Sequence, residues 1–388
     1  MNGSKVIVDT SPHGCLREWR LTSADLEGGA TAGPWSVTKR ILCGGRQEGV
    51  HVIEVDNGAL KFTVVPTRGC NVWTASAGTL RLGWDSPVKE VVHPQFVNLA
   101  ERGGLGWLNG FGEWISRCGL ESMGAACMDG DQPLTLHGRI NYLPASWVEV
   151  RYEPAPVPRL VVRAIVDETL MFGPQLRLTA EISTNVGSRA LTLDDRVTNL
   201  ADAPQEMQSL YHINFGPPLL GAGATFIAPV KSVAPRDARA AQGEMVGWDS
   251  YSGPQPAGYT EQVYLLELYG DDQGMTEAAL KAPDGTKGAA IAFNLNALPF
   301  MTLWKQEGPL KAGYVTGLEP ATGYPLPRPV ERACGRVPTL QGGESHHASI
   351  TVCALASADE VDAAVARIKR LQRAEPQVAK TPRGIPPV

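Results

Sequence analysis

This 388-residue chain is short of the groups on which several common chemistries depend. Its seven cysteines, at 15, 43, 70, 118, 127, 334 and 353, are odd in number and widely spaced, and none forms a CxxC pair. That removes the basis for a zinc knuckle or a dithiol redox motif, and predicts reduced core thiols in a cytosolic protein. No basic stripe interrupts a balance of 35 Lys+Arg against 40 Asp+Glu, so a nucleic-acid partner is not expected. No apolar run reaches the roughly 18 residues that span a bilayer. The start, Met1-Asn2-Gly3-Ser4-Lys5-Val6, shows no basic segment followed by an apolar one. The expectation is a soluble, cytoplasmic protein with no membrane partner.

Signature motifs are missing too. There is no HExxH, no Walker A loop and no GxGxxG in a βαβ setting. The GxSxG nucleophile elbow is absent. Zinc protease, nucleotide-binding and serine hydrolase readings lose their main support, and no metal or cofactor is expected.

What is present is β-structure. Gly (42) and Pro (30) are abundant, as in chains of short strands joined by tight turns. Asp56-Asn57-Gly58 separates two apolar-rich runs and predicts a hairpin. Alternating runs at 146–152, 159–166, 175–184 and 190–199 predict an antiparallel meander with one solvated face per strand. Further runs fall at 262–269, 289–296, 300–305, 312–318 and 347–355. Residues 103–131, rich in Gly and aromatics, have neither period and predict a long ordered loop with one helical turn. One helix is predicted near the C-terminus, where Ser357-Ala358-Asp359-Glu360 forms a capping box before an amphipathic stretch. The chain therefore reads as all-β, a large antiparallel β-sandwich with few helices. We expect one domain over 1–372, with N-terminal strands and loops at 1–45, a core at 46–355 and the helix at 357–372. A loose tail at 373–388 follows.

Rare chemical groups stand in three apolar settings. His137 lies in Leu136-His137-Gly138-Arg139, His212 in Tyr211-His212-Ile213-Asn214-Phe215, and Glu319 in Gly317-Leu318-Glu319-Pro320. A lone histidine in such a setting is more often a hydrogen-bonded structural residue. Gly138 permits close approach, however, and Arg139 offers a fork of donors to oxygens. His212 precedes a strand end at Gly216-Pro217-Pro218, an exposed location where sites are built. A carboxylate at the end of an apolar strand is costly without partners, and desolvation raises its pKa toward the range of a general base. The bland alternative for Glu319 is a salt bridge to Arg328 or Arg332. Arg68, Arg117, Arg236, Asp237, Trp304 and Lys305 are further candidates, for which structural salt bridges are an equal reading. The adjacent His346 and His347 would point to opposite faces of a strand.

In order and spacing, these three stretches resemble the aldose 1-epimerase (galactose mutarotase-like) superfamily, over about residues 45–355. The similarity is to a bacterial branch more than to the galactose mutarotases proper. Leu136-His137-Gly138-Arg139, with Trp147 downstream, resembles that family's His-Gly-Gly stretch, with Arg in place of the second Gly. Tyr211-His212-Ile213-Asn214-Phe215 is similar to its Asn-His motif, with Tyr before the histidine. Leu318-Glu319-Pro320-Ala321-Thr322, with Pro325 beyond, looks like the segment holding its catalytic Glu.

The resemblance implies a β-supersandwich with a sugar site. It implies Glu319 as general base on the anomeric hydroxyl and His212 as general acid at the ring oxygen. His137 would position substrate, helped by Arg117, by Asn214, Trp304 and Lys305, and by Asp237 or Asp249. Arg139 and Arg68 depart from the family pattern, and a cation there would suit a carboxylate or phosphate, so the partner is a small sugar or sugar acid. The same groups could instead abstract a carbon-bound proton in a keto-sugar isomerase, epimerase or lyase. A third reading is a non-catalytic carbohydrate-binding protein using Trp107, Phe111 and Trp114. A monomer or homodimer is expected.

Overall fold

The computed structural model describes residues 3–11, 14–26, 29 and 33–382. Two large, almost entirely antiparallel sheets, of ten and thirteen strands, enclose the main core. The predicted meander is continuous in the ten-stranded sheet. Trp147–Glu153, Arg159–Thr169, Gln175–Asn185 and Ala190–Asn199 pair in succession. Their inward positions, such as Leu178, Ala180 and Ile182, are buried. Alternation therefore reports the buried face directly.

The Asp56-Asn57-Gly58 hairpin forms as predicted, joining His51–Asp56 to Lys61–Val65. Asn57 explains its own presence there. Its side-chain amide donates to Thr184 Oγ1 at 2.6 Å and to the Asn185 and Ser188 carbonyls, tying the turn to the opposite sheet. The C-terminal helix spans Ala358–Leu371. Ser357 Oγ accepts the Glu360 N–H, and Glu360 in turn accepts from the Ala356 N–H.

Three expectations change. Residues 103–131 are not one loop, because Ile115–Leu120 is a strand with every residue buried. It has no alternation because both of its faces are covered. His212 and Glu319 are not at exposed strand ends. Each lies inside a wholly buried strand, Gln208–Phe215 and Val315–Ala321 respectively. In the expected loose tail, Gln377–Val378 pairs with Ser232 and Val233, and residues 383–388 lie outside the described residues. Of the thiols, Cys70 and Cys118 are buried, whereas Cys15, Cys43 and Cys334 are exposed.

Four adjacent strands position the chemistry: Ile115–Leu120, Gln208–Phe215, Val315–Ala321 and Phe300–Gln306. Tyr211 pairs with Arg117, and His212 with Ser116. Successive side chains alternate faces. Tyr211 and Arg117 thus turn toward the other sheet, where Arg117 Nε and Nη2 hold both Asp195 oxygens at 2.6 and 2.9 Å. Arg117 also donates to the Cys70 carbonyl at 2.6 Å, and Tyr211 donates to Asp195 at 2.9 Å. His212 is left on the opposite face.

This clamp is almost fully buried, so removing one partner strands the other's charge in a dry interior. Arg117→Met should lower unfolding free energy by about 3–5 kcal/mol in urea denaturation. Tyr211→Phe, which removes one hydrogen bond to a buried carboxylate, should cost about 1.5–3 kcal/mol.

Candidate functional site

On the face away from the main core, the same strands floor a cavity of about 310 Å³. The register that pairs Leu210 with Ala321 and Ile213 with Leu318 sets His212 across from Glu319. Between those pairs Pro320 has no N–H to donate, so the ladder is weakest beside the two groups. Glu319 Oε1 lies 3.2 Å from His212 Nε2, without the alignment of a hydrogen bond, and has no hydrogen-bond partner among the described residues. Gly317 makes the contact possible. A Cβ there would sit 2.4 Å from Glu319 Oε1 and 3.0 Å from His212 Cε1.

Asn214, two residues on from His212 and on the same face, sets the imidazole. Its Nδ2 donates to the Glu113 and His212 carbonyls. Its Oδ1 is thereby left to accept from His212 Nδ1 at 2.6 Å. Nδ1 therefore carries the proton and Nε2 presents a lone pair toward Glu319. His137 is fixed in the same sense, since its Nδ1 donates to the Met123 carbonyl at 2.9 Å. His137 adopts a positive φ of 57°, uncommon for a side-chain-bearing residue. Gly138 follows at φ 70°, and a Cβ there would lie 1.9 Å from the Ser122 carbonyl. The glycine thus permits approach of the protein's own backbone, not of a ligand as expected.

An aromatic shell dries the site. Ring centroids of Phe111, Trp304 and His137 lie 5.1, 5.1 and 5.5 Å from that of His212, and Trp107 packs edge-on to His137 at 4.7 Å. Burial shapes the titration. It pushes Glu319 well above the usual carboxylate range, helped by the Glu261 charge and opposed by Arg236. Burial also pushes His212 well below the usual histidine value, with His137 adding to the effect and the Asn214 bond opposing it. His137 is lowered for the same first reason, against the Met123 bond. Burial thus disfavours the charged form of both groups, favouring a protonated carboxyl beside a neutral imidazole.

Of the candidate residues, His137, His212, Glu319, Trp304 and Arg236 line this cavity, as do Trp107 and Phe111, and Asn214 orients His212. The others do not converge on it. Arg117 is committed to Asp195. Arg68 is fully buried against Glu113 at 2.5 Å, with its guanidinium over the Tyr142 ring. Lys305 binds the Ser250 carbonyl and Glu307 behind the Tyr251 ring. Asp237 holds Arg236 and accepts from the Ala240 N–H. Arg139 lines a different cavity.

Two charged residues complete the wall. Arg236 Nη2 donates to Glu261 at 2.9 Å, and Glu261 accepts from the Trp304 indole N–H at 2.7 Å. Burial works against the Arg236 charge, but Glu261 and Asp237 outweigh it and the net shift is upward. Glu261 carries no sequence signal of its own; it stands just before the strand Gln262–Leu268. Buried polar atoms on cavity residues also lack partners among the described residues, including Thr302 Oγ1 and Trp107 Nε1. Leaving such atoms unpaired costs about 1–3 kcal/mol each, a deficit that a hydroxylated ligand would relieve.

Residues 47–353 match the family described as "Domain of unknown function (DUF4432)". Among solved structures, a protein of Klebsiella pneumoniae subsp. pneumoniae, named as a putative aldose 1-epimerase, is 36% identical over 98% of each chain, with a TM-score of 0.93. A galactose mutarotase-like protein from Clostridium acetobutylicum is 15% identical, over 82% of this chain and 98% of that one, with a TM-score of 0.56. The Slr1438 protein of Synechocystis sp. is 17% identical, over 79% of this chain and 96% of that one, with a TM-score of 0.53. The fold is therefore galactose mutarotase-like. No curated protein matches the chain.

Imidazole ¹⁵N NMR should show His212 as the neutral Nδ1–H tautomer at pH 7, still neutral as pH falls through the ordinary histidine value of about 6.5. Asn214→Ala should allow both tautomers. A wild-type His212 already cationic at pH 7 would contradict the assignment.

Proposed function

The chain belongs to the DUF4432 family, and on that premise we propose that it interconverts the anomers of an aldose by acid/base ring opening. The observation that carries this reading is a carboxyl and an imidazole 3.2 Å apart in a largely apolar cavity. Two sugar oxygens have to exchange proton status for the ring to open. One group takes the proton of the anomeric hydroxyl while the other protonates the ring oxygen. The C1–O5 bond breaks and the open aldehyde forms. Rotation about C1–C2 presents the other face, and reclosure reverses both transfers. The pair needs one proton in total and ends each turnover as it began.

Burial starts that proton on Glu319. In this direction Glu319 protonates O5 and His212 Nε2 accepts from O1, the inverse of the assignment implied by resemblance. A sugar hydroxyl hydrogen-bonded to Glu319 favours its ionised form, which returns the pair to Glu319 as base and His212 as acid. The two assignments are one coupled site.

The cavity favours a neutral aldose over a sugar acid. Its guanidinium, Arg236, is already paired with Glu261 and Asp237. Arg68 and Arg139, the grounds for expecting an anion, do not line it. Trp304 and Phe111 supply apolar surface to the C–H face of a ring. The paired Arg236 and Glu261, with Thr302, supply donors and acceptors to its hydroxyls.

Anomer exchange measured by magnetisation-transfer NMR on a panel of neutral aldoses and uronic acids tests the reading. Glu319→Gln and His212→Asn should each lower kcat about 10²- to 10⁴-fold. The rate should fall as pH rises through the elevated Glu319 value, where the pair loses its only proton. It should fall again at acid pH below the depressed His212 value, where the pair holds two. No acceleration with any sugar would overturn the proposal, and deuterium entering at C2 from solvent would replace ring opening with carbon-proton abstraction.

A further inference from the structure

Beyond the His212–Glu319 cavity lies a larger one, of about 460 Å³. The Leu136–Arg139 segment separates the two. Leu136 and His137 line the first cavity, and Gly138 and Arg139 line the second. Backbone bonds from the Gly119 N–H to the His137 carbonyl and from the Arg139 N–H to the Gly119 carbonyl hold this partition in place.

The second cavity has the marks of a polar binding site. Glu168 lines it and is 1% exposed. Its Oε2 accepts the Leu120 N–H at 2.7 Å and the carboxyl also feels the Glu121 backbone N–H, whereas Oε1 has no well-aligned hydrogen-bond partner among the described residues. The Ser122 hydroxyl, on a residue 2% exposed, is also without a partner among the described residues. The Arg139 guanidinium, half-buried, makes no hydrogen bond or salt bridge among the described residues, though its charge acts on Glu168. Burial pushes Glu168 up to about 7 in spite of the Leu120 bond and that cation. Val97, Leu134 and Leu170 form an apolar wall. Native interiors rarely leave two buried polar groups such as the Glu168 carboxyl and the Ser122 hydroxyl incompletely paired around one space, here with a free guanidinium at its rim.

We propose that this cavity is a second binding site, for a neutral, hydroxyl-rich molecule of monosaccharide size. The volume falls within the few hundred Å³ usual for small-molecule sites. Arg139 donates to ligand oxygens, Glu168 and Ser122 accept from ligand hydroxyls, and the apolar wall takes a C–H face. Charge decides against an anion. The lining carries one guanidinium against two carboxyl groups, Glu168 and Glu121, so an anion would sit beside like charge and force Glu168 to stay protonated. A polyol meets both the donor and the acceptors without moving a proton. The argument is independent of the acid/base chemistry in the first cavity.

Methyl NMR of Leu/Val-labelled full-length protein reads both cavities in one titration. The probes are D-glucose, D-galactose and D-mannose, with D-galacturonate as the anionic control. Val97, Leu134 and Leu170 report on the second cavity, and Leu105, Leu108 and Val263 on the first. The expected result is a saturable shift of the second set with at least one neutral hexose. Arg139→Met and Ser122→Ala should weaken that response about 10-fold or more, the loss of roughly one charge-assisted hydrogen bond, and leave the first set's curve unchanged. Glu168 is left intact because it also anchors Leu120, and the methyl spectrum itself verifies the fold of each variant. No saturable response of the second set with any hexose, or a response to galacturonate alone, overturns the proposal. Failure of the first set alone would count only against the acid/base reading.

Discussion

The geometry of the site rests on a buried ion pair that takes no part in it. Arg117 and Asp195, with Tyr211 bonded to the same carboxylate, join the two sheets through the main core. A strand has two faces, so committing Tyr211 to Asp195 commits His212 to the other side. A slip of one residue would exchange them, putting an imidazole where a guanidinium and a carboxylate need a hydroxyl. The clamp gives little net stability for its size, because desolvation consumes most of the attraction. Its effect is to make the alternative register expensive.

Desolvation, which the clamp resists, is what the site uses. In water a carboxyl and an imidazole differ by about two pKa units, with the proton on the imidazole. In the cavity the two are pushed toward each other's range, Glu319 upward and His212 downward, because both charged forms lose hydration together. Separating charge between them is therefore costly in the bare cavity, and a bound sugar's hydroxyls, by hydrogen-bonding the charged forms, would lower that cost. Asn214 removes one degree of freedom by fixing the tautomer, and Gly317 removes another by letting the two groups meet. Arg236 and Glu261 bring charge to the wall in a balanced pair, so the field at the reacting groups is not that of an isolated cation.

What could be read from sequence follows from solvent exposure. Strands with one wet face announce themselves by alternation, and the four meander strands were legible to within a few residues. The Ile115–Leu120 strand was not, because a strand buried on both sides has no period to show. His212 and Glu319 were legible through their apolar settings and family resemblance, but the same settings misplaced them at strand ends, since Gly216 and Pro320 read as terminators. Pro320 instead lies inside a strand and interrupts one ladder only. The arginines were the least legible. Arg68, Arg117 and Arg139 look alike as letters, and only the fold reveals that two of them are committed to carboxylates.

Arg139 shows why adjacency misleads. In an extended strand, residues two apart share a face, and His137 and Arg139 would have entered one cavity. Positive φ at both His137 and Gly138 breaks that rule by turning the chain between them. The turn is held by backbone bonds to Gly119 on the floor strand, and only glycine at 138 clears the Ser122 carbonyl. A His-Gly-Arg string therefore encodes a partition. The imidazole serves one space and the guanidinium another, and a charge that seemed to set substrate choice at the acid/base pair acts on Glu168 on the far side of the wall.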